Sequence, residues 1–200
     1  MNVLVLTDRK QARLPLAEVV AAAVAGGARW VVLREKDLPR AERVDLASAL
    51  RAILAPVGGR LIVAGPDALG GAVGSRVGTD GGAVHLAAAD RIPSGVGLVG
   101  RSCHDAGEVA RLSTEDYAIV SPVFVSASKP GYGPALGLRG LAGLASRTPK
   151  PVLALGGLET AAQAIACVAA GAAGVAVMGA VMRADDPGAV VAALVGELGP

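Results

Sequence analysis

Residues 151–182 read PVLALGGLETAAQAIACVAAGAAGVAVMGAVM. A short apolar run at 151–155 meets Gly156-Gly157. An alanine-rich segment of helical length follows at 161–170, and a second apolar run at 174–178 ends in Met178-Gly179. A brief apolar run bounded by glycine suits a strand buried on both faces. Two such strands separated by a helix pair in parallel, because a crossover of that length does not make a hairpin. The pattern repeats outward along the chain. Strands are predicted at 2–6, 30–33, 60–63, 83–86, 96–100 and 117–120. Helices are predicted at 16–25, 40–54, 105–112, 138–146 and 187–198, with a weaker one at 67–74. The segment 87–95 is too short and too rich in proline and glycine for a full helix. Eight β/α units in 200 residues predict an α/β fold, a single (β/α)8 TIM barrel over residues 1–200, at the short end of that class. The competing open doubly wound sheet needs fewer strands and usually a dinucleotide-type glycine loop, and no GxGxxG follows the first strand.

Composition narrows the class of function. Hydrophobic residues make up 52% of the chain, which excludes a disordered protein. The net charge of +2 is dispersed, without a basic tail or stripe. Aromatic residues are confined to Trp30, Tyr117, Phe124 and Tyr132. A nucleic-acid partner is therefore not expected. Cys103 and Cys167 are not a metal-spaced pair. The apolar run at 175–182 is broken by Gly179 and too short to cross a bilayer, so no membrane partner is expected. No basic leader stands before the first strand, and a cytoplasmic location is the expectation. The apolar-rich outer helices permit a homodimer.

In a barrel of this kind the active site lies at the C-terminal strand ends, and polar residues gather there. The first strand ends in Thr7, Asp8 and Arg9. The second ends in Arg34 and Lys36, which share a face toward the mouth by period-two alternation, with Glu35 expected outward in a salt bridge. The fourth carries His85 and leads to Asp90. The fifth ends in Ser102 and His104, with Cys103 expected to pack beneath a helix. The sixth runs into SPVFVSASKPGYGPALG (121–137), where Ser126, Ser128 and Lys129 supply two hydroxyls and an ammonium. Gly156-Gly157 and Met178-Gly179 follow the last two strands, where glycine lets backbone N–H groups reach phosphate oxygens. The pattern points to a small phosphorylated ligand. Plainer readings stand beside it: a solvated loop at 126–129, a tight turn at 156–157, and a wall hydrogen bond for His85. Asp90 either caps a turn or carries a metal, as one of the one or two carboxylates that hold Mg²⁺ beside substrate phosphates.

Six segments together carry a family resemblance: VLREKDL (32–38), AVHLAAAD (83–90), GRSCH (100–104), DYAIVSPVFVSASKPGYGPALGL (116–138), PVLALGGL (151–158) and GAAGVAVMGAVMRADDP (171–187). They resemble the thiamine phosphate synthase family, which includes the TenI-type thiazole tautomerases. The resemblance implies a (β/α)8 barrel and a transferase of thiamine biosynthesis. Its small phosphorylated heterocyclic substrates would be hydroxymethylpyrimidine pyrophosphate and a thiazole phosphate, joined with release of pyrophosphate and with Mg²⁺ required. It implies a pyrophosphate clamp of Arg34, Lys36 and Lys129 with Ser102 beside it. Ser126 and Ser128 would serve the thiazole phosphate, with Gly156, Gly157, Met178 and Gly179 as a backbone cradle and Asp90 as one of two Mg²⁺ aspartates.

The sequence also departs from the family pattern. Val32 replaces a glutamine, Ala64-Gly65 replaces Asn-Asp and so removes the second metal aspartate, and Ala87 and Ala88 replace Gly-Gln. Those changes lean toward the tautomerase branch. That branch, however, carries a catalytic histidine where this chain has Pro122, which leaves His85 or His104 to substitute. A non-catalytic thiazole-phosphate binder is the third alternative.

Overall fold

The computed structural model describes residues 1–69, 82–125 and 134–199. Eight parallel strands close into a barrel in sequence order: β1 (Val3–Leu6), β2 (Trp30–Leu33), β3 (Arg60–Ala64), β4 (Ala83–Leu86), β5 (Leu98–Cys103), β6 (Tyr117–Val120), β7 (Val152–Leu155) and β8 (Gly174–Val177). The seam closes where Val3, Leu4 and Val5 pair with Val175, Ala176 and Val177. Around it lie α1 (Leu16–Ala25), α2 (Arg40–Leu54), α3 (Ala106–Ala110), α4 (Gly137–Ala145), α5 (Ala161–Ala169), the short α6 (Gly179–Met182) and α7 (Pro187–Leu198).

Alternation along each strand sorts the side chains. Leu4, Leu6, Val32, Ile62, Ile119, Leu153 and Ala176 fill the barrel interior. Val3, Val5, Val31, Leu33 and Val63 face outward and meet Val19, Val20, Leu50, Val191 and Leu194 of the helices. Because both faces are buried, the strands read as continuous apolar runs. α1 and α7 pack closely at Gly26, where a Cβ would overlap the Gly188 carbonyl.

The differences from the sequence reading have local causes. β5 begins at Leu98 rather than 96, since Gly97 N–H bonds back to Gly82 O and keeps 96–97 in the connection. It then extends to Cys103 by pairing with β6, which draws Ser102 into the strand. α3 stops at Ala110 because the chain turns so that Glu115 accepts from Ser113 N–H and reaches Arg101. Among the described residues the link from β4 to β5 holds a turn and no helix. The predicted helix at 67–74 lies mostly outside the described residues, and 67–69 are not helical.

Candidate active site

The C-terminal ends of the strands enclose a cavity of about 500 Å³. Arg34, Lys36, His85, Ser102, Gly156, Gly157, Met178 and Gly179 all line it, so residues far apart in sequence share one mouth. Ser126, Ser128 and Lys129 lie outside the described residues. Asp90 is not among the lining residues. Its Oδ2 accepts the Ala87 N–H at 2.8 Å and closes the turn after β4.

The β2 end is held from β1. Thr7 Oγ donates to Glu35 Oε1 at 2.9 Å and accepts from Arg34 N–H at 3.0 Å. Glu35 also accepts the Arg9 N–H. Glu35 makes the expected salt bridge, to Arg9 at 3.5 Å. Its carboxylate is 4% exposed and turns toward β1, because Thr7 and Arg9 satisfy it beneath the loop. At the surface Arg9 grips both oxygens of Asp37 at 3.0 and 2.9 Å, and Lys10 joins at 2.9 Å. The bonds from Lys10 and Arg9 hold the Asp37 pKa down to about 2. Arg34 reaches over β1 so that Nη1 meets Met178 Sδ at 2.7 Å. Thioether sulfur is a weak acceptor, and guanidinium has five donors. Among the described residues no carboxylate forms an ion pair with Arg34 or Lys36.

The β7–β8 side is formed by backbone. Val123 N–H donates to Leu155 O and Phe124 N–H to Gly156 O, so the loop after β6 lies along the loop after β7. Gly157 has φ +64°, and a Cβ there would overlap Val125 O and Phe124 Cβ. Only glycine fits that crossing. Next to it α6 opens at Gly179, the short helix after the last strand that the sequence pattern did not reveal. The Arg183 guanidinium lies where a Gly179 Cβ would be, ion-paired to Glu159 at 2.7 Å and donating to Gln11 at 2.8 Å.

On the opposite side, His85 is 6% exposed and both ring nitrogens face protein partners, Tyr117 hydroxyl at 3.2 Å and Ser102 Oγ at 2.9 Å. Burial, then the charges of Lys36, Arg34 and Arg101, pull its pKa down to about 3. His104 lines the cavity with Nδ1 2.8 Å from Glu108. Cys103 is buried beneath the helices, as the alternation predicts, and burial pushes its thiol up to about 11. Arg101 and Glu115 form a buried pair, and Arg101 Nη1 donates to the carbonyls of Ala87, Ala88 and Asp90. Sequence reasoning missed this anchor, because it needs the alignment of β5 beside the turn after β4.

Chemistry for Mg²⁺ is poor among the described residues. No group of three or more His, Cys, Asp or Glu side chains there can hold a metal. Each cavity carboxylate is engaged: Asp8 by Lys10 N–H and Gln11, Glu35 by Thr7, Asp37 by Arg9, Glu159 by Arg183. Gly65 stands in place of the family aspartate, and a Cβ there would lie 3.8 Å from Lys36 Cε. Asp67 pairs with Arg40 at 2.8 Å instead of entering the cavity. These residues do not fit the ion.

Comparison with known proteins shows the family. The family model described as thiamine monophosphate synthase matches residues 3–181. The chain belongs to this family. It is 38% identical over 184 residues to a thiamine-phosphate synthase of Laribacter hongkongensis, covering 88% of this chain and 83% of that one. It is 35% identical over 202 residues to a thiamine-phosphate synthase of Roseiflexus sp., covering 96% and 83%. Among solved structures it resembles a thiamine phosphate pyrophosphorylase from Pyrococcus furiosus, with TM-score 0.81, 26% identity and coverage of 98% and 95%. No helix among the described residues is long and apolar enough to cross a membrane.

Proposed function

We propose that the chain is a thiamine-phosphate synthase that joins hydroxymethylpyrimidine pyrophosphate to a thiazole phosphate. The observation that carries this reading is the convergence of Arg34 and Lys36, without carboxylate partners among the described residues, on the same cavity as the glycine-shaped β7–β8 ends. Membership of the synthase family supports it. The bond between the pyrimidine methylene and its pyrophosphate oxygen breaks, and the electron pair leaves with pyrophosphate. The thiazole nitrogen then donates its lone pair to the methylene, which forms the new C–N bond. No proton has to move. The protein must neutralise the leaving group and align two substrates. Arg34 and Lys36 serve the pyrophosphate, with Lys129 as a third cation. Ser102 donates to the same group. The glycine ends cradle the thiazole phosphate, with Ser126 and Ser128 beside them. No step is assigned to Mg²⁺, and Asp90 acts as a turn cap.

The test is release of pyrophosphate in step with thiamine phosphate when both substrates are supplied. Equal amounts of the two products are expected, and product formed at wild-type rate by Arg34→Ala and Lys36→Ala together would contradict the clamp. The tautomerase reading draws on one observation, the His104–Glu108 pair at the cavity. It requires thiazole proton exchange that His104→Ala abolishes.

A further inference from the structure

Inside the barrel a tyrosine, a histidine and a serine form a polar line, and the proposed reaction accounts only for the serine. Gly100 of β5 pairs in register with His85 of β4 on one side and Tyr117 of β6 on the other. A Cβ at residue 100 would overlap the Tyr117 ring and hydroxyl. The absent side chain lets the two rings meet across β5, stacked with centroids 5.6 Å apart and the phenol 3.2 Å from Nδ1. Ser102, two residues further along β5, lies 2.9 Å from Nε2 and lines the cavity.

The direction of the protons follows from what each group can satisfy. Tyr117 is 3% exposed, and among the described residues His85 Nδ1 is the partner of its hydroxyl. A buried O–H left without an acceptor costs about 1–3 kcal/mol, so the phenol donates to Nδ1. A neutral imidazole has a single N–H, which then sits on Nε2 and donates to Ser102 Oγ. The serine proton is left for an acceptor in the cavity.

We infer that Tyr117, His85 and Ser102 form a one-way donor chain, in which Tyr117 and His85 are positioning residues that hold Ser102 as a hydrogen-bond donor to an anionic ligand oxygen. In the other tautomer Ser102 would donate inward to Nε2 and turn lone pairs toward the anion. Hydrogen bonds aligned in one sense also polarise one another. Burial, and then the nearby charges of Lys36, Arg34 and Arg101, keep the imidazole neutral, which the chain requires. The inference rests on the anion-binding reading of the mouth given above.

Calorimetric titration of the full-length chain with inorganic pyrophosphate tests it, using wild type, Ser102→Ala, Tyr117→Phe and the double variant. Loss of one charge-assisted hydrogen bond weakens Ser102→Ala by about 10-fold. Tyr117→Phe weakens binding by about 3- to 10-fold, since the imidazole can then invert. The double variant is no weaker than Ser102→Ala alone. Wild-type affinity in Tyr117→Phe, or a double loss equal to the product of the single losses, overturns the chain. Nitrogen NMR of labelled histidine gives an independent readout on the wild-type protein, with His104→Gln separating the two histidine signals. A proton on Nε2 of His85 is expected, and a proton on Nδ1 overturns the chain. Absence of pyrophosphate binding by wild type would remove the anion reading instead, and the tautomer would still decide the chain.

Discussion

On the β7–β8 side of the mouth glycine and main chain shape much of the cavity wall. Gly156 and Gly157 take up left-handed φ and admit the loop after β6, and α6 starts directly from the last strand. On the β3–β4 side the wall is built from side chains anchored at a distance. Arg101 ties down the carbonyls of the turn after β4, Glu115 balances it, and the Tyr117 phenol orients His85. On the first side the glycines that the resemblance singles out line the cavity. The second lacks one of the two aspartates that the resemblance implies, has the other, Asp90, closing a turn, and presents Lys36 over Gly65. A surface made of glycine and main chain depends on shape, and one made of charges can be rebuilt by exchanging partners.

The largest expected effect is on the side-chain wall. Glu115→Ala leaves Arg101 buried without its carboxylate and is expected to cost about 3–5 kcal/mol in urea unfolding. A loss below about 1 kcal/mol would mean that the carbonyls of Ala87, Ala88 and Asp90 satisfy Arg101 alone. Next comes the clamp. Arg34→Ala is expected to reduce kcat/KM about 100-fold, the effect of removing one preorganised donor from a developing anion. An equal loss in a variant of the side-chain wall that binds no ligand would blur the contrast between the two regions.

The backbone wall is tested by Gly157→Ala, which forces a Cβ against Val125 O at positive φ. It is expected to cost about 2–4 kcal/mol and to weaken phosphate binding. The smallest effect is the pH response of His85. Its folded pKa lies below the unfolded value, so the unfolded chain takes up a proton that the folded chain refuses. Stability therefore falls as pH drops from about 6.5 toward about 3. His85→Gln should flatten that part of the stability curve relative to wild type, and an identical slope in both proteins would show that the buried imidazole is not responsible.

The barrel was legible because each strand is an apolar run closed by polar or glycine punctuation, and 151–182 alone displays the repeating unit. The cavity residues Arg34, Lys36 and Ser102 were legible for the same reason, since strand ends map onto the mouth. What stayed hidden depends on register between strands. Nothing in the sequence places Gly100 between His85 and Tyr117, or Arg101 beside the carbonyls of 87–90, until the strands are aligned. The burial of Glu35 was missed because alternation describes the strand, and the residue lies just past it, where Thr7 and Arg9 satisfy its carboxylate. α6 escaped because a four-residue helix has no periodicity to read.

The proposed clamp implies the claim that Arg34 and Lys36 neutralise the pyrophosphate without a metal ion. Calorimetric titration of the wild-type protein with hydroxymethylpyrimidine pyrophosphate, in Mg²⁺ and in a chelator, tests it directly. Binding within about 3-fold under both conditions is the expected result. Binding that appears only with Mg²⁺ would contradict the claim.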